Sequence, residues 1–491
     1  MTSNSKVPPF NVPDRILLGP GPSEMPAKVL QALAMPVIGH LDPAFIQIMD
    51  EVQEMLRDVF QTKNRLTIPV SGTGSAGMEA ALANFIEPGD RVLIGVIGYF
   101  GERMCDMAAR YGARVDRVEV PWGQVLDLIE VKRQLAKHKY KLLAVVHGET
   151  SSGAQQPYIK DLATLAHEHG ALFVLDTVAS LGGVPVEVDA WDVDVAFSGS
   201  QKAISASPGL APITVGKRAE EVLSKRKTQI GSWYLSLGEV QKYWGKERTY
   251  HHTAPIQLNY AMREALRIVL DEGLPARFER HQKNAEALWE GLEELDMELL
   301  VKREHRLATV TSVKVPPSAS HDHVKKHLLE DYGIEVGAGL GQLKGQIWRI
   351  GLMGHSSRRE YVTLVLAALR EIISAGQPKS EAPESDPLAS TPWERLRSVA
   401  SNVKNSTISN LEEFKMKKLE FTRLVAVRKM SLTKTTGALY DCDVIEHDGK
   451  PILRQPLVDY LNRLGKDGWE IKASDSSETN FSIVLQREVE S

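Results

Sequence analysis

The sequence predicts an α/β fold in its first 375 residues, with a mostly parallel, doubly wound sheet, because short apolar runs alternate with helical segments. The runs show little polar alternation, as expected of strands buried on both faces, and they lie at residues 91–98, 142–147, 171–176 and 193–197. Apolar residues recur at helical spacing at residues 44–60, 102–111 and 161–169. Because ligands of such sheets bind beyond the carboxyl ends of the strands, we expect the functional residues there.

A proline-rich stretch at residues 376–392 divides the chain. Its prolines stand among Ser, Glu and Asp, which indicates an exposed linker, and a long surface loop within one domain is the alternative. Beyond it, strands at 422–427 and 480–486 and an amphipathic helix at 455–464 predict a small α+β module. Lys and Arg outnumber Asp and Glu between residues 393 and 434, which fits either a contact surface for an unknown acidic partner or a solvated helix face.

The composition excludes several classes of protein. The 491 residues include 59 Lys and Arg against 63 Asp and Glu, a net charge of −4, so there is no basic surface for nucleic acid or anionic lipid. No apolar run approaches the roughly 20 residues that span a bilayer, and residues 1–13 lack the pattern of a secretory signal. Cys105 and Cys442 are too few for a disulfide framework or a zinc site. We therefore expect a cytoplasmic, metal-free protein of about three domains.

The first chemical signal is the glycine-rich segment at residues 71–75 (SGTGS), which a helical pattern at 76–86 follows at once. Glycines allow a ligand to approach the backbone closely, and the start of a helix offers unpaired N–H groups and a positive dipole end. Such a segment suits a phosphate group, and a simple turn is the alternative.

Two charged residues follow buried strands in positions that indicate chemistry. Asp176 ends the run at 171–175, where a carboxylate is costly without a positive partner, although capping of the following turn is an alternative. Lys202 closes the segment 198–202 (SGSQK) after the next strand, where desolvation lowers a lysine's pKa and makes it a usable nucleophile. A solvated lysine is the alternative. The spacing of Asp176 and Lys202 places both side chains at the same edge of the sheet.

Arg349 is embedded in the apolar run at 347–353, and its planar fork suits the α-carboxylate of an amino or keto acid. An internal salt bridge is the alternative. Pyridoxal 5'-phosphate requires a Schiff-base lysine, an acid for its pyridine nitrogen and an anion site. Lys202, Asp176 and the segment 71–75 together supply these groups, so we predict an enzyme that uses this cofactor.

With these residues assembled, the chain resembles the class V pyridoxal-phosphate aminotransferases, and specifically the alanine/serine–glyoxylate aminotransferase family, over about residues 14–375. The matching segments run in the family's order and are residues 18–23 (LGPGPS), 71–82 (SGTGSAGMEAAL), 98–101 (GYFG), 147–150 (HGET), 176–182 (DTVASLG), 198–202 (SGSQK), 250–253 (YHHT) and 349–351 (RIG). The resemblance implies a fold type I transferase, with a large domain built on a seven-stranded, mostly parallel sheet and a smaller α/β domain.

The resemblance also implies roles for individual residues. Lys202 would hold the cofactor covalently and move the substrate's α-proton, while Asp176 would keep the pyridine nitrogen protonated. Arg349 would bind the substrate carboxylate, with Gly21 nearby. The other cofactor contacts would come from Thr73, Gly74, Ser75 and Gln201 at the phosphate, Phe100 and Val178 on the two ring faces, and Thr150 at the ring hydroxyl. Many relatives carry tryptophan in place of Phe100; phenylalanine keeps the stacking but loses the indole N–H.

Tyr250 and Thr253 would reach the phosphate of the neighbouring subunit, so the resemblance implies a homodimer with shared active sites. The implied reaction is a ping-pong transfer of the amino group of alanine or serine to glyoxylate, giving glycine and pyruvate or hydroxypyruvate. A kynurenine-type donor or a lyase reaction is the alternative. A desulfurase would need an accessible cysteine over the cofactor, whereas Cys105 falls in a helical segment.

The end of the chain resembles a small bacterial domain family of unknown function, the DUF4177-like proteins, through residues 461–470 (LNRLGKDGWE). The expected organisation is an N-terminal arm (1–21), a large cofactor-binding domain (22–264), a small aminotransferase domain (265–375), a linker (376–419) and a small α+β domain (420–491).

Overall fold

The computed structural model describes residues 10–374 and, beyond them, residues 418–428, 442–447, 450–451, 470–476 and 480–489. The chain divides into two compact units, Met1–Lys404 and Asn405–Ser491. The predicted linker stretch at 376–392 and the predicted helix at 455–464 lie outside the described residues, as does most of the segment 461–470.

The first unit alternates strands and helices along most of its length. Its strands are β1 (Ile16–Leu17), β2 (Leu66–Ser71), β3 (Arg91–Val96), β4 (Arg114–Glu119), β5 (Leu142–Val146), β6 (Gly148–Glu149), β7 (Ala154–Gln155), β8 (Leu172–Asp176), β9 (Val195–Phe197), β10 (Leu210–Val215), β11 (Val310–Lys314), β12 (Ile334–Glu335), β13 (Gly337–Ala338) and β14 (Ile347–Gly351). Its α-helices are α1 (Ala27–Leu33), α2 (Pro43–Phe60), α3 (Gly74–Phe85), α4 (Tyr99–Arg110), α5 (Leu128–Leu135), α6 (Ile159–Glu168), α7 (Lys217–Ser224), α8 (Leu237–Trp244), α9 (Ile256–Glu272), α10 (Leu274–Glu293), α11 (His321–Tyr332) and α12 (Arg359–Ser374).

A mixed sheet of seven strands forms the centre of this unit, in the order β2-β10-β9-β8-β5-β3-β4. Strands β4, β3, β5, β8 and β9 run parallel to one another, whereas β10 is antiparallel to both of its neighbours. The predicted α/β fold with a large, mostly parallel, seven-stranded sheet is therefore confirmed.

Both faces of the sheet are buried, which explains why its strands lack polar alternation. Within β3, the side chains of Val92 and Ile94 join one apolar cluster, together with Met78 of α3 and Met104 of α4. Leu93 points to the other face and joins a second cluster, with side chains from α5, α6 and α9. A strand covered by helices on both sides is apolar along its interior. Strand β5 is apolar throughout, and β3 and β8 are apolar apart from Arg91 at the start of β3 and Asp176 at the end of β8.

A smaller antiparallel sheet, in the order β11-β14-β13, lies later in the same unit and carries Arg349 on β14. Its core includes Trp348 and Ile350 and is completed by side chains from α10, α11 and α12. Residues near the start of the chain join this domain, because β1 pairs in parallel with β12 and Leu18 is buried in the same core. The segment after β1 therefore starts from the smaller domain, at a two-stranded sheet of β1 and β12.

The second unit contains a five-stranded sheet in the order β17-β16-β15-β19-β18, with all pairs antiparallel. Its strands are β15 (Lys418–Arg428), β16 (Cys442–His447), β17 (Lys450–Pro451), β18 (Glu470–Ser476) and β19 (Asn480–Val489). The predicted strands at 422–427 and 480–486 lie within β15 and β19. Among the residues described in either unit, no helix combines the length and the apolar composition needed to cross a bilayer.

Candidate active site

The predicted site residues of the large domain gather at the carboxyl ends of β2, β8 and β9 and at the first turns of α3 and α4. Asp176 is the last residue of β8, and Lys202 lies in the turn after β9, the neighbouring strand. Arg349 comes from β14 of the smaller domain and reaches the same region through a hydrogen bond from Nη1 to the carbonyl oxygen of Thr150, 3.0 Å away. The two domains therefore meet at this edge of the large sheet, where the topology predicts a ligand site.

Lys202 is held by the segment that follows β1. Its Nζ donates a hydrogen bond to the carbonyl oxygen of Pro20, and Ser23 Oγ donates to the carbonyl oxygen of Lys202 at 2.7 Å. Burial, together with the positive charge of Arg349, lowers the pKa of Lys202 to about 8, although Asp176 opposes the shift. A lysine with this pKa is partly unprotonated near neutral pH and can act as a nucleophile or a base.

Gly21, which the resemblance places near the substrate, lies against Lys202. Its φ of +104° is one that side chains rarely adopt, and a Cβ atom there would lie 2.5 Å from Lys202 Nζ. Both the backbone conformation and the space beside Nζ therefore require glycine at this position.

Asp176 is 2 % exposed, and its Oδ1 accepts a hydrogen bond of 2.8 Å from the backbone N–H of Val178. Burial raises its pKa to about 7, and the negative charge of Glu149 adds to that rise. Lys202 and Arg103 oppose it, but no ion pair to Asp176 forms among the described residues. A buried carboxylate of this kind is suited to a cationic group that a ligand brings, such as a protonated pyridine nitrogen.

The segment Thr73–Ser75 forms the start of α3, which begins at Gly74, two residues before the predicted helix. Thr73 precedes the helix without capping it through its side chain, so the first N–H groups of α3 remain free to bind an anion. A Cβ atom on Gly74 would lie 3.4 Å from Val178 Cγ2 and 3.6 Å from Gly199 Cα, so this turn approaches the neighbouring loops closely. The Oε1 atom of Gln201 is buried without a hydrogen-bond partner.

Phe100 is the second residue of α4. The helix begins at Tyr99, three residues earlier than predicted. Its half-buried ring lies under the guanidinium of Arg103, with 4.9 Å between Cζ and the ring centroid. Arg103 also donates a hydrogen bond of 3.0 Å from Nη1 to Ser75 Oγ, which links α4 to the phosphate segment. Arg103 is not among the site residues predicted from the sequence, although its position one turn after Phe100 places it on the same helix face.

Arg349 is 6 % exposed and binds backbone only: Nε donates to the carbonyl oxygen of Ala338 at 2.8 Å, and Nη1 donates to Thr150. Burial lowers the pKa of Arg349 to about 10, and Glu149 opposes this shift. Within the described part of the chain Arg349 forms no salt bridge, so the alternative of an internal ion pair is not what holds it. Its remaining N–H donors suit the carboxylate of a substrate.

Tyr250 and Thr253 are not joined to the other predicted residues. Tyr250 is 59 % exposed, Thr253 is exposed, and the two hydroxyl groups lie 3.5 Å apart. Between them, His252 Nε2 lies 2.7 Å from Ser71 Oγ, so the segment runs beside the end of β2. Both side chains are therefore presented to the surface, next to the segment that leads into α3.

The residues present fit pyridoxal phosphate. The free N–H groups at the start of α3 suit the phosphate, Asp176 suits a protonated ring nitrogen, and Lys202 suits the aldehyde. Phe100 and Val178 are half-buried apolar side chains near the same edge. The amide nitrogen of Gln201 could donate to the phosphate, whereas its Oε1, which has no hydrogen-bond partner, could not. Glu149, which was given no role among the predicted site residues, lies beside Thr150 and is fully buried. The signal available for it was an acidic residue three positions after the end of the buried strand β5.

Comparison with known proteins gives a consistent result. Residues 16–353 match the family described as Aminotransferase class-V. The (S)-ureidoglycine–glyoxylate transaminase of Bacillus subtilis is 42% identical over 379 residues, which cover 74% of this chain and 91% of that protein. The alanine–glyoxylate aminotransferase of Drosophila melanogaster is 42% identical over 373 residues, covering 75% of this chain and 95% of that protein.

Solved structures extend the comparison to three dimensions. The crystal structure of an alanine–glyoxylate aminotransferase from Nostoc sp. matches with a TM-score of 0.74 and 51% sequence identity, covering 76% of this chain and 99% of that one. The unit Asn405–Ser491 lies beyond the family match, which ends at residue 353.

Proposed function

The chain belongs to the class-V aminotransferase family, and we propose that it transfers the amino group of alanine or serine to glyoxylate by a ping-pong mechanism. It is an aminotransferase whose cofactor is pyridoxal phosphate. The observation that carries the proposal is the meeting of a buried lysine, a buried carboxylate and a buried arginine with unused donors at one edge of the sheet.

The names of the relatives support glyoxylate as the acceptor more directly than they support any donor. The Bacillus subtilis and Drosophila melanogaster proteins are both 42% identical to this chain, and glyoxylate occurs in both names. Their donors differ, being (S)-ureidoglycine in one name and alanine in the other. Identity at this level is therefore compatible with more than one donor, and a kynurenine-type amino acid remains the alternative to alanine and serine.

Pyridoxal phosphate, when bound, supplies an electron-withdrawing ring that makes the α-hydrogen of an amino acid acidic. Lys202 Nζ, with its lowered pKa, takes that proton and returns it, because it can exist as a free amine near neutral pH. Asp176 stays ionised beside a cationic group and so keeps that group charged. Arg349 binds the substrate's α-carboxylate through its remaining N–H donors, and Thr150 and Ala338 fix its orientation through their carbonyl oxygens.

Lyase chemistry of the desulfurase type is disfavoured by the position of Cys105. This free cysteine lies within α4, and burial raises the pKa of its thiol to about 11, so the thiolate is scarce at neutral pH. The side chain of Cys442 lies outside the described residues. A reducing, cytosolic compartment would suit an enzyme with a free thiol and small-molecule substrates.

We also propose a homodimer in which Tyr250 and Thr253 of one subunit complete the phosphate site of the other. The exposed hydroxyls support this, as does the apolar surface near them, where Val37, Leu41 and Tyr250 are 62 %, 45 % and 59 % exposed. The ring of His40 lies 5.2 Å from that of Tyr250, so these residues form one patch. An apolar patch beside an incomplete anion site is suited to a second copy of the chain.

Titration of the purified holoenzyme with amino acids tests the substrate proposal. Addition of alanine or serine should deplete the visible absorbance of the bound cofactor, and glyoxylate should restore it. A parallel series with kynurenine and (S)-ureidoglycine covers the alternative donors. If neither alanine nor serine changes the spectrum while another donor does, the proposed donors are wrong but the aminotransferase assignment stands.

For the end of the chain, we propose a separate module at 420–491, DUF4177-like and joined by a linker at 376–419, that binds a partner. Its support is the division of the chain into two compact units and the sheet of five strands in the second. A chain ending at Gly376 should keep the transaminase activity and dimer size of the full protein. Loss of either would show that the second unit belongs to the catalytic body.

A further inference from the structure

Glu149 caps a helix that belongs to a different part of the chain. Its Oε2 accepts a hydrogen bond of 3.3 Å from the backbone N–H of Phe100, in the first turn of α4. Its Oε1 accepts from Ser151 Oγ at 2.6 Å and from the Ser151 N–H at 3.0 Å. The same Ser151 hydroxyl oxygen accepts from the N–H of Tyr99 at 2.9 Å. Glu149 and Ser151 together therefore satisfy the first free donors of α4.

The helix cannot supply this cap itself. Its own N-cap residue is Gly98, which has no side chain to offer. A Cβ atom at Gly98 would overlap the side chain of Glu149 and lie 2.5 Å from Ser151 Oγ. The absence of a side chain at Gly98 thus leaves space for Glu149 and Ser151, which come about 50 residues later in the chain.

Glu149 is 0 % exposed, which is an expensive place for a carboxylate unless it is well bonded. Burial raises its pKa, and the hydrogen bonds from Ser151, Phe100 and Gly101 oppose that rise. The positive end of the helix dipole adds to the stabilisation of the charged form. An ionised cap holds the first turn of α4 more firmly than a neutral one does, because hydrogen bonds to a charged acceptor are stronger.

The first turn of α4 affects the cofactor site because it carries Phe100. Arg103, one turn later on the same helix, donates a hydrogen bond to Ser75 in the phosphate segment. The direction of the Phe100 ring follows from the direction of this turn. Glu149 is thus hydrogen-bonded directly to the backbone of Phe100, the residue expected to stack on the cofactor.

We propose that Glu149 is a positioning residue of the cofactor site, which acts through the cap of α4 to hold the Phe100 ring against pyridoxal phosphate. The proposal rests on the proposed function insofar as Phe100 is the stacking ring. The competing reading is that Glu149 only stabilises the fold, as any helix cap does.

The test measures pyridoxal phosphate affinity and the visible circular dichroism of the bound cofactor, in full-length protein without any amino or keto acid. Glu149→Gln keeps the size of the side chain but turns one acceptor into a donor that faces N–H groups. We expect its cofactor dissociation constant to rise about tenfold, as for the loss of one hydrogen bond to a charged group, and its dichroism to change.

Asp127→Asn is the matched control, because Asp127 caps α5 by accepting from the Ile129 N–H at 2.8 Å. That variant should lose thermal stability with no change in cofactor affinity or dichroism. If Glu149→Gln behaves in the same way, losing stability alone, Glu149 is a structural cap and the proposal is overturned.

A double-mutant cycle with Phe100→Ala identifies the route of the effect. If Glu149 acts through the Phe100 ring, Glu149→Gln should weaken cofactor binding far less in the Phe100→Ala background than in the wild type. Equal losses in both backgrounds would contradict the proposal. Should Glu149→Gln fail to fold, Ser151→Ala removes the hydroxyl between Glu149 and Tyr99 and should weaken cofactor binding to a smaller degree; unchanged affinity would overturn the proposal.

These measurements separate the two levels of inference. If the wild-type protein binds pyridoxal phosphate but none of the proposed donors, the substrates are wrong and the test of Glu149 is unaffected. If the wild-type protein does not bind the cofactor, the proposed function fails, and the role of Glu149 fails with it.

Discussion

The Nζ atom of Lys202 donates a hydrogen bond to the carbonyl oxygen of Pro20, a residue 182 positions earlier in the chain. Ser23, just beyond, donates from Oγ to the carbonyl oxygen of Lys202 at 2.7 Å. The lysine side chain and its own backbone are therefore held by one short segment, through neutral acceptors and donors. Because no acidic group pairs with Nζ among the described residues, its proton is held weakly.

Replacement of this lysine should separate catalysis from folding. Lys202→Ala removes the nucleophile and the base, so we expect transamination to fall by at least about a thousandfold. Far-ultraviolet circular dichroism and the size of the oligomer in solution should match those of the wild type. Substantial transamination by this variant would disprove the assignment of Lys202.

The lowered pKa of Lys202 makes a prediction about pH in the cofactor-free protein. An unfolded lysine keeps its proton up to its ordinary pKa of 10.5, whereas folded Lys202 releases it near 8. Unfolding therefore takes up a proton between these pH values, and stability should rise with pH across that window, by up to about 3 kcal/mol. Below pH 8, Lys202 is protonated in both the folded and the unfolded state, and the full free-energy cost of burying its charge lowers the stability of the protein.

Comparison with Lys202→Met isolates this contribution, since methionine is similar in length and does not titrate. Chemical denaturation at several pH values should show the wild type gaining stability relative to the variant from pH 8 towards 10. A difference that stays constant across this range would show that the pKa of Lys202 is not lowered.

Gly21 should tolerate no side chain. Gly21→Ala places a methyl group 2.5 Å from Lys202 Nζ at a backbone φ of +104°, so we expect both backbone strain and displacement of the lysine. Activity should fall by about a hundredfold, as for a misplaced catalytic group. Gly170→Ala is the control, because Gly170 has a φ of +71° with nothing within 4 Å of its Cβ position. That variant should lose stability only; similar activities for the two variants would contradict the prediction.

Arg349→Gln should act on substrate binding and leave the cofactor in place. Loss of the charged fork removes hydrogen bonds of about 1.5–3 kcal/mol, so the KM for the amino donor should rise by roughly 10- to 100-fold. The affinity for pyridoxal phosphate should not change. Arg349→Lys should recover little, because an ammonium group cannot bind a carboxylate through two parallel bonds. An unchanged KM with a fallen kcat would place Arg349 elsewhere in the mechanism.

The proposed sharing of active sites between subunits predicts complementation between impaired variants. Lys202→Ala mixed with a Tyr250→Ala, Thr253→Ala double variant should regain activity on subunit exchange, since a mixed dimer contains one site with all its residues. Lys202→Ala mixed with Arg349→Gln is the control. Lys202 and Arg349 come from the same subunit, so the activity of this second mixture should not exceed that of its separate components. Recovery in neither mixture would show that Tyr250 and Thr253 do not serve a neighbouring site.

The sequence predicts the positions of Asp176 and Lys202 well, because each of them stands at or after the end of a buried strand whose apolar run is recognisable. Asp176 ends β8 and Lys202 follows β9, as their runs indicate. The helix starts are less accurate: α4 begins three residues before the predicted position, because its first donors are satisfied by Glu149 and Ser151 and not by a local capping residue. A cap supplied from a distant segment leaves no signal in the neighbouring sequence.

Three strands of the large sheet escape prediction for physical reasons. Strands β2 and β10 each contain a proline, a residue that normally argues against a sheet, and Pro69 and Pro212 stand opposite each other in their pairing. Strand β4 lies at the sheet edge and carries charged residues, so it lacks the apolar run of the central strands. Glu149 was overlooked because a carboxylate is rarely buried, and only the geometry shows the donors that surround it.

The short segment from Ile16 to Ser23 connects the smaller domain, which carries Arg349, to Lys202 of the large domain. At one end, the carbonyl oxygen of Leu18 accepts a hydrogen bond of 2.7 Å from the N–H of Gly351, two residues beyond Arg349. At the other end, Pro20 and Ser23 are hydrogen-bonded to Lys202. One residue, Gly19, separates the two attachments. The segment thus connects the arginine expected to bind the substrate with the lysine expected to react with it. A substitution in this segment is therefore an active-site mutation, although the segment is remote in sequence from both residues.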